Sequence, residues 1–298
     1  MAGPGMDPVI AGRYLVRHTL GVGGMADVVA ADDLETGELV AVKVLHQPLD
    51  DTTLDRRLLQ ELLSTAQVAH PNLVAVLDFG VAAGSRRPFF VMELLNGADM
   101  ATYLQQYGSC AADWFIPMFC DALDGLDAVH RRGIVHKDIK PANLFLDQQA
   151  QEPPRLRITD FGIAHHMQRS RVTQEGGMAC TPRYTSPEYF ASGEVTPASD
   201  VYQMGLVLAE CLLGWPMVPE GPFATVAFAH ARGALRLPPG LATSPVGQVL
   251  GRALALRARD RFDTAVAFAD ALRGLDVLAA GASIELHAAL YQRQLQAQ

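Results

Sequence analysis

The segment GIVHKDIKPANLFL, residues 133–146, sets His136, Lys137, Asp138, Lys140 and Asn143 between the apolar runs Ile134-Val135 and Leu144-Phe145-Leu146. Charged groups held close to apolar runs are rare unless they are paired or carry out chemistry. Further along, ITDFG (158–162) adds Asp160. Asp138 could receive a proton, while Asn143 and Asp160 offer hard oxygen ligands suited to Mg²⁺. Lys140 could balance charge on a phosphoryl group in transit. A solvated polar loop is the alternative reading, and the apolar flanks fit it poorly.

Two stretches nearer the N-terminus could serve the same chemistry. LGVGGMADVVA (20–30) lies between two expected strands, whereas a dinucleotide fold needs strand, loop and helix. No GxxxxGK[ST] loop occurs. A glycine-rich hairpin can instead cover phosphates with backbone N–H groups, or its glycines can simply serve turn geometry. Lys43, in AVKVL, alternates with apolar neighbours. A lysine directed into a half-buried site calls for an anion, and one directed at solvent does not. Glu61, among Leu59, Leu62 and Leu63, is the candidate partner for an inward Lys43.

The elements that must hold these groups follow from periodicity. Short Val- and Leu-rich runs at 13–20, 27–33, 39–46, 73–80 and 88–95 read as strands, with a turn at LETGE around Gly37. Residues 54–70 carry leucines at helical spacing and are stopped by Pro71. After Gly97 the pattern turns helical. Residues 113–133 read as one long helix, with Pro117 tolerable in a first turn, and 199–214 as a buried helix that is apolar nearly all round. Residues 244–256 and 263–274 are expected to start at caps Ser244 and Asp263. The expectation is an α+β chain in two lobes, β-rich then helical, with a hinge near 93–99 and a ligand cleft between lobes.

Composition narrows the function classes. The 298 residues are 49% hydrophobic and 19% charged, ordinary for a globular chain, with a formal net charge of −8. No basic stretch suggests a nucleic-acid partner. Cys110, Cys120, Cys180 and Cys211 form no CxxC pair and no zinc-like spacing, so free thiols in a reducing cytosol are expected. The N-terminus lacks the pattern of a signal peptide, and no apolar window reaches 18 residues. A cytoplasmic chain without a membrane segment is expected.

Taken in order, the glycine loop, Lys43, Glu61, HxD with Asn143, and DFG resemble a eukaryotic-type protein serine/threonine kinase, most closely the bacterial Hanks-type group. The resemblance covers residues 13–274, with a small lobe at 13–95 and a large lobe at 98–274. It implies a bilobal protein-kinase-like fold, ATP and Mg²⁺ (with Mn²⁺ as a substitute), and protein acceptors. A homodimer and a cognate phosphatase are further implied partners. Leu20, Gly21, Gly23 and Gly24 would cover the nucleotide, and Lys43, paired with Glu61, would hold its α- and β-phosphates. Val28, Ala41 and Phe145 would sandwich the adenine, with Met92 as gatekeeper and Glu93 and Leu95 at the adenine edge. Asp138 would be the base, Lys140 the γ-phosphate contact, and Asn143 and Asp160 the metal ligands. In CTPRYTSPEYF (180–190), Thr181 would face Asp138 and Glu188 would pair with Arg261. Asp200 would brace the catalytic loop, although an acid opening an apolar helix can also be only a cap. Ser170, Thr173 and Thr181 are the candidate phosphosites of the activation loop.

Four positions depart from the family pattern. Ala26 replaces the third glycine of the loop, a tolerable change. Lys137 replaces the arginine that grips an activation-loop phosphate bidentately, which implies weaker loop control. Cys180 replaces a glycine, and Ser186 replaces an alanine. None removes a catalytic group, so activity is expected. A small-molecule kinase would share Lys43, Asp138 and Asp160 without needing Thr181, Asp200 and Arg261, and a nucleotide-binding scaffold is the other alternative. Residues 275–298 lie beyond the family domain and could form an amphipathic helix.

Overall fold

A computed structural model of the chain describes residues 8–48, 68–82, 84–149, 152–160, 181–218, 220–231 and 235–276. The chain divides into two units, Met1–Ala69 with Val74–Asn96, and His70–Leu73 with Gly97–Gln298.

The smaller unit is an antiparallel sheet. Its strands are β1 (Val9–Ile10), β2 (Tyr14–Val22), β3 (Ala26–Asp33), β4 (Leu39–Leu45), β5 (Val76–Val81) and β6 (Pro88–Glu93), in the order β1-β2-β3-β4-β6-β5. The period of two in a strand sorts β4 by face. Val40, Val42 and Val44 join Ile10, Tyr14, Val29, Ala31, Phe89 and Val91 in one core. Ala41 packs instead with Val28, Val74, Val76, Met92, Leu94 and Leu95. Lys43, two residues from Ala41 along the strand, falls on Ala41's side of the pleat. The expected turn before β4 is present, with Gly37 at φ 77° and its N–H donating to Asp33 O at 2.8 Å. Arg13 grips Asp33 through two hydrogen bonds of 2.7 and 2.6 Å, and those bonds hold the Asp33 carboxyl well below the usual range. The helix expected over 54–70, with Glu61, lies outside the described residues apart from 68–70, which are not helical.

The larger unit carries a second sheet, β7 (Gly97–Asp99), β8 (Leu144–Asp147) and β9 (Arg155–Ile158), in that order and antiparallel. Segments of three or four residues are too short to show a period, so sequence patterning did not separate them from loops. The helices are α1 (Met100–Tyr107), α2 (Ala112–His130), α3 (Pro187–Ser192), α4 (Pro197–Leu213), α5 (Phe223–Ala231), α6 (Pro239–Ala242), α7 (Pro245–Ala253) and α8 (Ala265–Arg273). In α4 every residue from Ser199 to Leu213 is buried, as its all-round apolar pattern required. Thr196 caps it, Pro197 takes the first helical position, and Gly214 ends it in the left-handed region at φ 82°. α2 packs on α8 through Phe119 and Phe268, whose rings meet edge-on at 6.1 Å. No described helix is long and apolar enough to cross a membrane.

Three local expectations need correction. The long helix spans Ala112–His130 rather than 113–133, so Pro117 lies inside it and beyond its first turn. The chain forgoes one helical hydrogen bond there, a cost the buried apolar face offsets. α8 is capped by Thr264, whose side chain accepts the Ala267 N–H at 3.1 Å, and not by Asp263. Thr264 is the residue with extended backbone, which an N-cap requires. Ser244 caps α7 as expected.

Gly97 opens β7 at φ 145°, and a Cβ there would lie 2.1 Å from Leu146 O. Both the backbone angle and the close approach demand glycine. Gly97→Ala should therefore destabilise the chain by roughly 2–4 kcal/mol through strain and overpacking, measured as a lower denaturation midpoint at unchanged slope. An unchanged midpoint would show that the β7–β8 contact carries no stability.

Candidate active site

The loop from Ile134 to Leu146 is pinned by alternating anchors. Ile134, Ile139, Leu144 and Leu146 are buried, which fixes its path and leaves the polar residues between them. Its backbone is tied to α4. The Asp200 carboxylate is fully buried and accepts the His136 N–H at 2.7 Å and the Lys137 N–H at 2.9 Å. His130, in the last turn of α2, places Nε2 at 2.7 Å from the same carboxylate. One helical turn beyond Asp200, Gln203 accepts the Ile139 N–H at 3.1 Å and donates to Lys137 O at 3.4 Å. These ties hold Lys137 at φ 73°, a conformation that costs a non-glycine residue energy unless its surroundings impose it. Asp200 is therefore no cap: Thr196 fills that place.

His136 is buried and bridges to the strand beside the loop. Its Nδ1 faces the Asp138 N–H at 3.4 Å, which assigns the ring proton to Nε2, 2.9 Å from Thr159 O. Thr159 in turn donates its N–H to Asn143 O at 3.0 Å. Asp160 follows Thr159 directly, at φ 61°, at the end of the described segment.

The Asp138 carboxylate is the focus of the cluster. Lys140 Nζ lies 2.7 Å from Oδ2, Asn143 Nδ2 lies 3.3 Å from Oδ2, and the Thr181 hydroxyl lies 3.3 Å from Oδ1. Lys140 also donates to the Thr181 hydroxyl at 3.2 Å. Asn143 Nδ2 donates to Asp138 O at 2.7 Å, so its amide oxygen is the atom left for a cation. Among the described residues no group of three His, Cys, Asp or Glu could hold a metal.

The segment after Thr181 is anchored separately. Pro182–Tyr184 form a 3₁₀ turn, and the Tyr184 hydroxyl donates to Glu210 of α4 at 2.8 Å. Burial raises the Glu210 carboxyl above its ordinary value despite that bond. Glu188 and Arg261 pair bidentately at 2.8 and 2.7 Å, with the Arg261 side chain wholly buried. Ser199 adds a third bond to Glu188 at 2.7 Å.

In the smaller unit, Val28, Ala41, Met92 and Leu95 come together in one apolar cluster. Glu93 is a structural tie there: its N–H donates to Ala75 O at 3.1 Å and its carboxylate accepts the Ala75 N–H at 2.6 Å. Leu20, Gly21, Gly23 and Gly24 lie in the β2–β3 hairpin, closed by Gly23 N–H to Ala26 O at 3.0 Å. A Cβ at Gly21 or Gly24 would meet nothing within 4 Å, so the hairpin itself does not demand glycine at either place. Phe145 is half-buried on β8, in the larger unit. Glu61, Ser170, Thr173 and Cys180 lie outside the described residues, as does the tail beyond 276.

Sequence reading missed His130, Gln203, Tyr184 and Glu210. Their one legible signal was polarity out of place: Gln203 and Glu210 stand in a helix that is otherwise apolar. Burial alone would raise the Glu188 carboxyl, but the hydrogen bonds and charge of Arg261 outweigh it and hold it below its ordinary value. Such a group adds stability that is complete above the unfolded carboxylate pKa and is lost as pH falls through the lower folded value. Glu188→Gln should therefore melt below the parent at neutral pH, with the gap closing below about pH 4. Asp200→Asn should destabilise the chain by roughly 3–5 kcal/mol and abolish hydrogen-exchange protection of the His136 and Lys137 amides, because an amide nitrogen would face donors. Retained protection of both amides would refute this account of the loop.

The protein kinase domain pattern matches residues 14–235 of the chain. Serine/threonine-protein kinase PknA of Mycobacterium tuberculosis is 33% identical over 234 residues, 77% of this chain and 53% of that protein. Serine/threonine-protein kinase PknB of Mycobacterium leprae is 36% identical over 230 residues, 76% of this chain and 36% of that protein. The chain thus spans about half the length of the first and about a third of the second. Among solved structures, the Mycobacterium tuberculosis PknI kinase domain superposes with a TM-score of 0.68 at 26% identity, covering 92% of this chain and 99% of that one.

Proposed function

The chain belongs to the protein kinase domain family, and we propose that it transfers the γ-phosphoryl group of ATP to serine or threonine hydroxyls of proteins, itself included, in bacterial signalling. The observation that carries this reading is the Asp138 carboxylate, already within hydrogen-bond reach of a threonine hydroxyl that Lys140 also touches. An acceptor hydroxyl in that place would give its proton toward Asp138 while Lys140 balances charge on the transferring group. Asn143 fits a cation because its amide nitrogen is already committed to Asp138, which turns its oxygen to other use. Asn143 and Asp160 would hold Mg²⁺, with Mn²⁺ as a substitute. The bound ion supplies charge neutralisation on phosphate oxygens.

In the smaller unit, Lys43 would meet the α- and β-phosphates with Glu61 as its partner, and Leu20 with the glycines of the hairpin would cover them. The open space beside Gly21 and Gly24 leaves room for phosphate oxygens to approach the hairpin there. Val28, Ala41 and Met92 would line the adenine site, and the Glu93 carbonyl and Leu95 N–H would meet the adenine edge. A protein acceptor is favoured over a small molecule by the Thr181–Tyr184 turn and the Glu188–Arg261 pair, which a small-molecule kinase has no need to build. Self-phosphorylation is expected at Ser170 or Thr173 ahead of Thr181. The proposed partners are protein acceptors, a second copy of the chain, and a phosphatase that reverses the modification.

Asp138→Asn tests the reading. Incubated with radiolabelled ATP, Mg²⁺ and a generic protein acceptor, the parent should label serine and threonine, and the variant should lose roughly 10²–10⁴-fold in rate while still binding nucleotide. Undiminished labelling by the variant would remove Asp138 from its role. A parent that binds ATP without labelling protein would favour a scaffold or a small-molecule acceptor.

A further inference from the structure

Arg183 is the middle residue of the 3₁₀ turn Pro182–Tyr184. Three hydrogen bonds close that turn. The Tyr184 N–H donates to Thr181 O at 3.0 Å, the Thr185 N–H to Pro182 O at 3.2 Å, and the Thr185 hydroxyl to Thr181 O at 3.1 Å. Neighbouring side chains of the turn go to different partners. Tyr184 is buried and donates to Glu210 of α4. Arg183 meets Glu220, its Nη2 lying 3.1 Å from Oε1. The Arg183 side chain is 22% exposed and that of Glu220 is 90% exposed. Glu220 stands three residues ahead of Phe223, the first residue of α5, whose ring packs edge-on against Phe190 of α3 at 5.6 Å. That contact brings the start of α5 close to the segment that follows Thr181.

An ion pair with one partner this open is weak. Water screens it, and two long side chains must be held in one geometry to make it, so it exchanges partners at little cost. Glu220 is therefore replaceable by another carboxylate that reaches the same guanidinium. Glu210 does not compete for that place, since it is buried and taken by Tyr184. The acceptor's position supplies the other half. The Thr181 hydroxyl, 3.3 Å from the Asp138 carboxylate, lies beside the place of an accepting hydroxyl. Arg183 is two residues further on, about 4 Å along a 3₁₀ axis. An extended peptide advances about 3.3 Å per residue, so side chains within three residues of the accepting hydroxyl pass the turn. The chain as a whole carries a formal net charge of −8 and repels an acidic acceptor at long range, so a preference for one must come from a local cation.

We infer that Arg183 is a specificity-determining residue that favours protein acceptors with an aspartate or glutamate within three residues of the accepting hydroxyl, and that Glu220 occupies its guanidinium until such an acceptor displaces it. The inference rests on reading the chain as a protein kinase whose turn after Thr181 docks the acceptor. Arginine suits the task because its planar fork matches a carboxylate. The exchange swaps one carboxylate for another, so the charge balance of the turn is the same before and after docking.

The probes are peptides with one threonine in a neutral background, carrying a single glutamate, or glutamine in the paired control, at each place from three residues before the threonine to three after it. With the parent, the favoured place should show a Glu-over-Gln ratio of kcat/KM of about three to five, the range of one exposed arginine–carboxylate pair. Arg183→Gln should bring that ratio to about 1, and Arg183→Glu should invert it and favour lysine at the same place. Glu220→Gln should raise the ratio roughly twofold, because the competing carboxylate is gone. The parent's ratio should also fall towards 1 in about 1 M salt, where charges are screened beyond about 3 Å. Both peptides of a pair meet the same preparation, so a variant that folds poorly loses rate on both and leaves the ratio where it was. A parent ratio near 1 at every place, a ratio that survives in Arg183→Gln, or one that does not rise in Glu220→Gln would overturn the inference. A parent that labels no peptide would instead refute the kinase reading, and fluorescence anisotropy of tagged peptides would then decide on Arg183. Tighter binding of the glutamate peptide that is lost in Arg183→Gln would uphold the inference, and equal Kd for both peptides of every pair would overturn it.

Discussion

The buried carboxylate of Asp200 is the constraint on which the larger unit's chemistry depends. A carboxylate taken wholly out of water is tolerated only when its lone pairs are filled. Here two backbone amides and one imidazole fill them. The same bonds dictate the path of the loop, because the donors are consecutive residues, His136 and Lys137. With that path set and Gln203 gripping the next turn, Asp138 emerges beside Lys140 and Asn143 and cannot turn away without breaking several buried hydrogen bonds at once. The left-handed backbone of Lys137 is the local expense of the arrangement.

This also clarifies the departure at position 137. The links from that residue to α4 run through its N–H and C=O and are indifferent to its side chain. Lysine in place of arginine therefore leaves the bracing of the loop intact, and its consequences are confined to what the side chain can grip. The same helix also anchors the segment after Thr181. Tyr184 reaches Glu210, and Glu188 meets Ser199. The Asp138 loop and the Pro182–Tyr184 turn are thus both tied to one helix whose few polar residues are all committed.

The smaller unit follows a simpler rule. Period-two alternation in β4 gives one face to the core and the other to Ala41 and Lys43. Of the apolar residues that the resemblance assigned to an adenine site, Val28, Ala41, Met92 and Leu95 pack together on Ala41's side of the sheet, while Phe145 belongs to the larger unit. That they cluster is a matter of pleat and register, which the expected strands already contained once paired.

Much of this was legible along the chain. Strand alternation, the all-round apolar pattern of α4, the turn at Gly37 and the cap at Ser244 are local properties, and local physics decides them. The ordered motifs, from the glycine hairpin through Asp138 and Asp160, were equally visible, because their chemistry needs particular residue types in a particular order. Other features were not visible. Whether Asp200 was a cap or a brace, which residue would hold Asp200 from α2, and what Gln203 and Glu210 were for depended on partners tens of residues away. The same is true of the three-stranded sheet, whose strands are too short to announce themselves. Sequence by itself determined which elements form and which groups could react. Only tertiary structure decided how buried polar groups are satisfied, because a hydrogen bond between distant residues exists only once the chain has brought its two ends together.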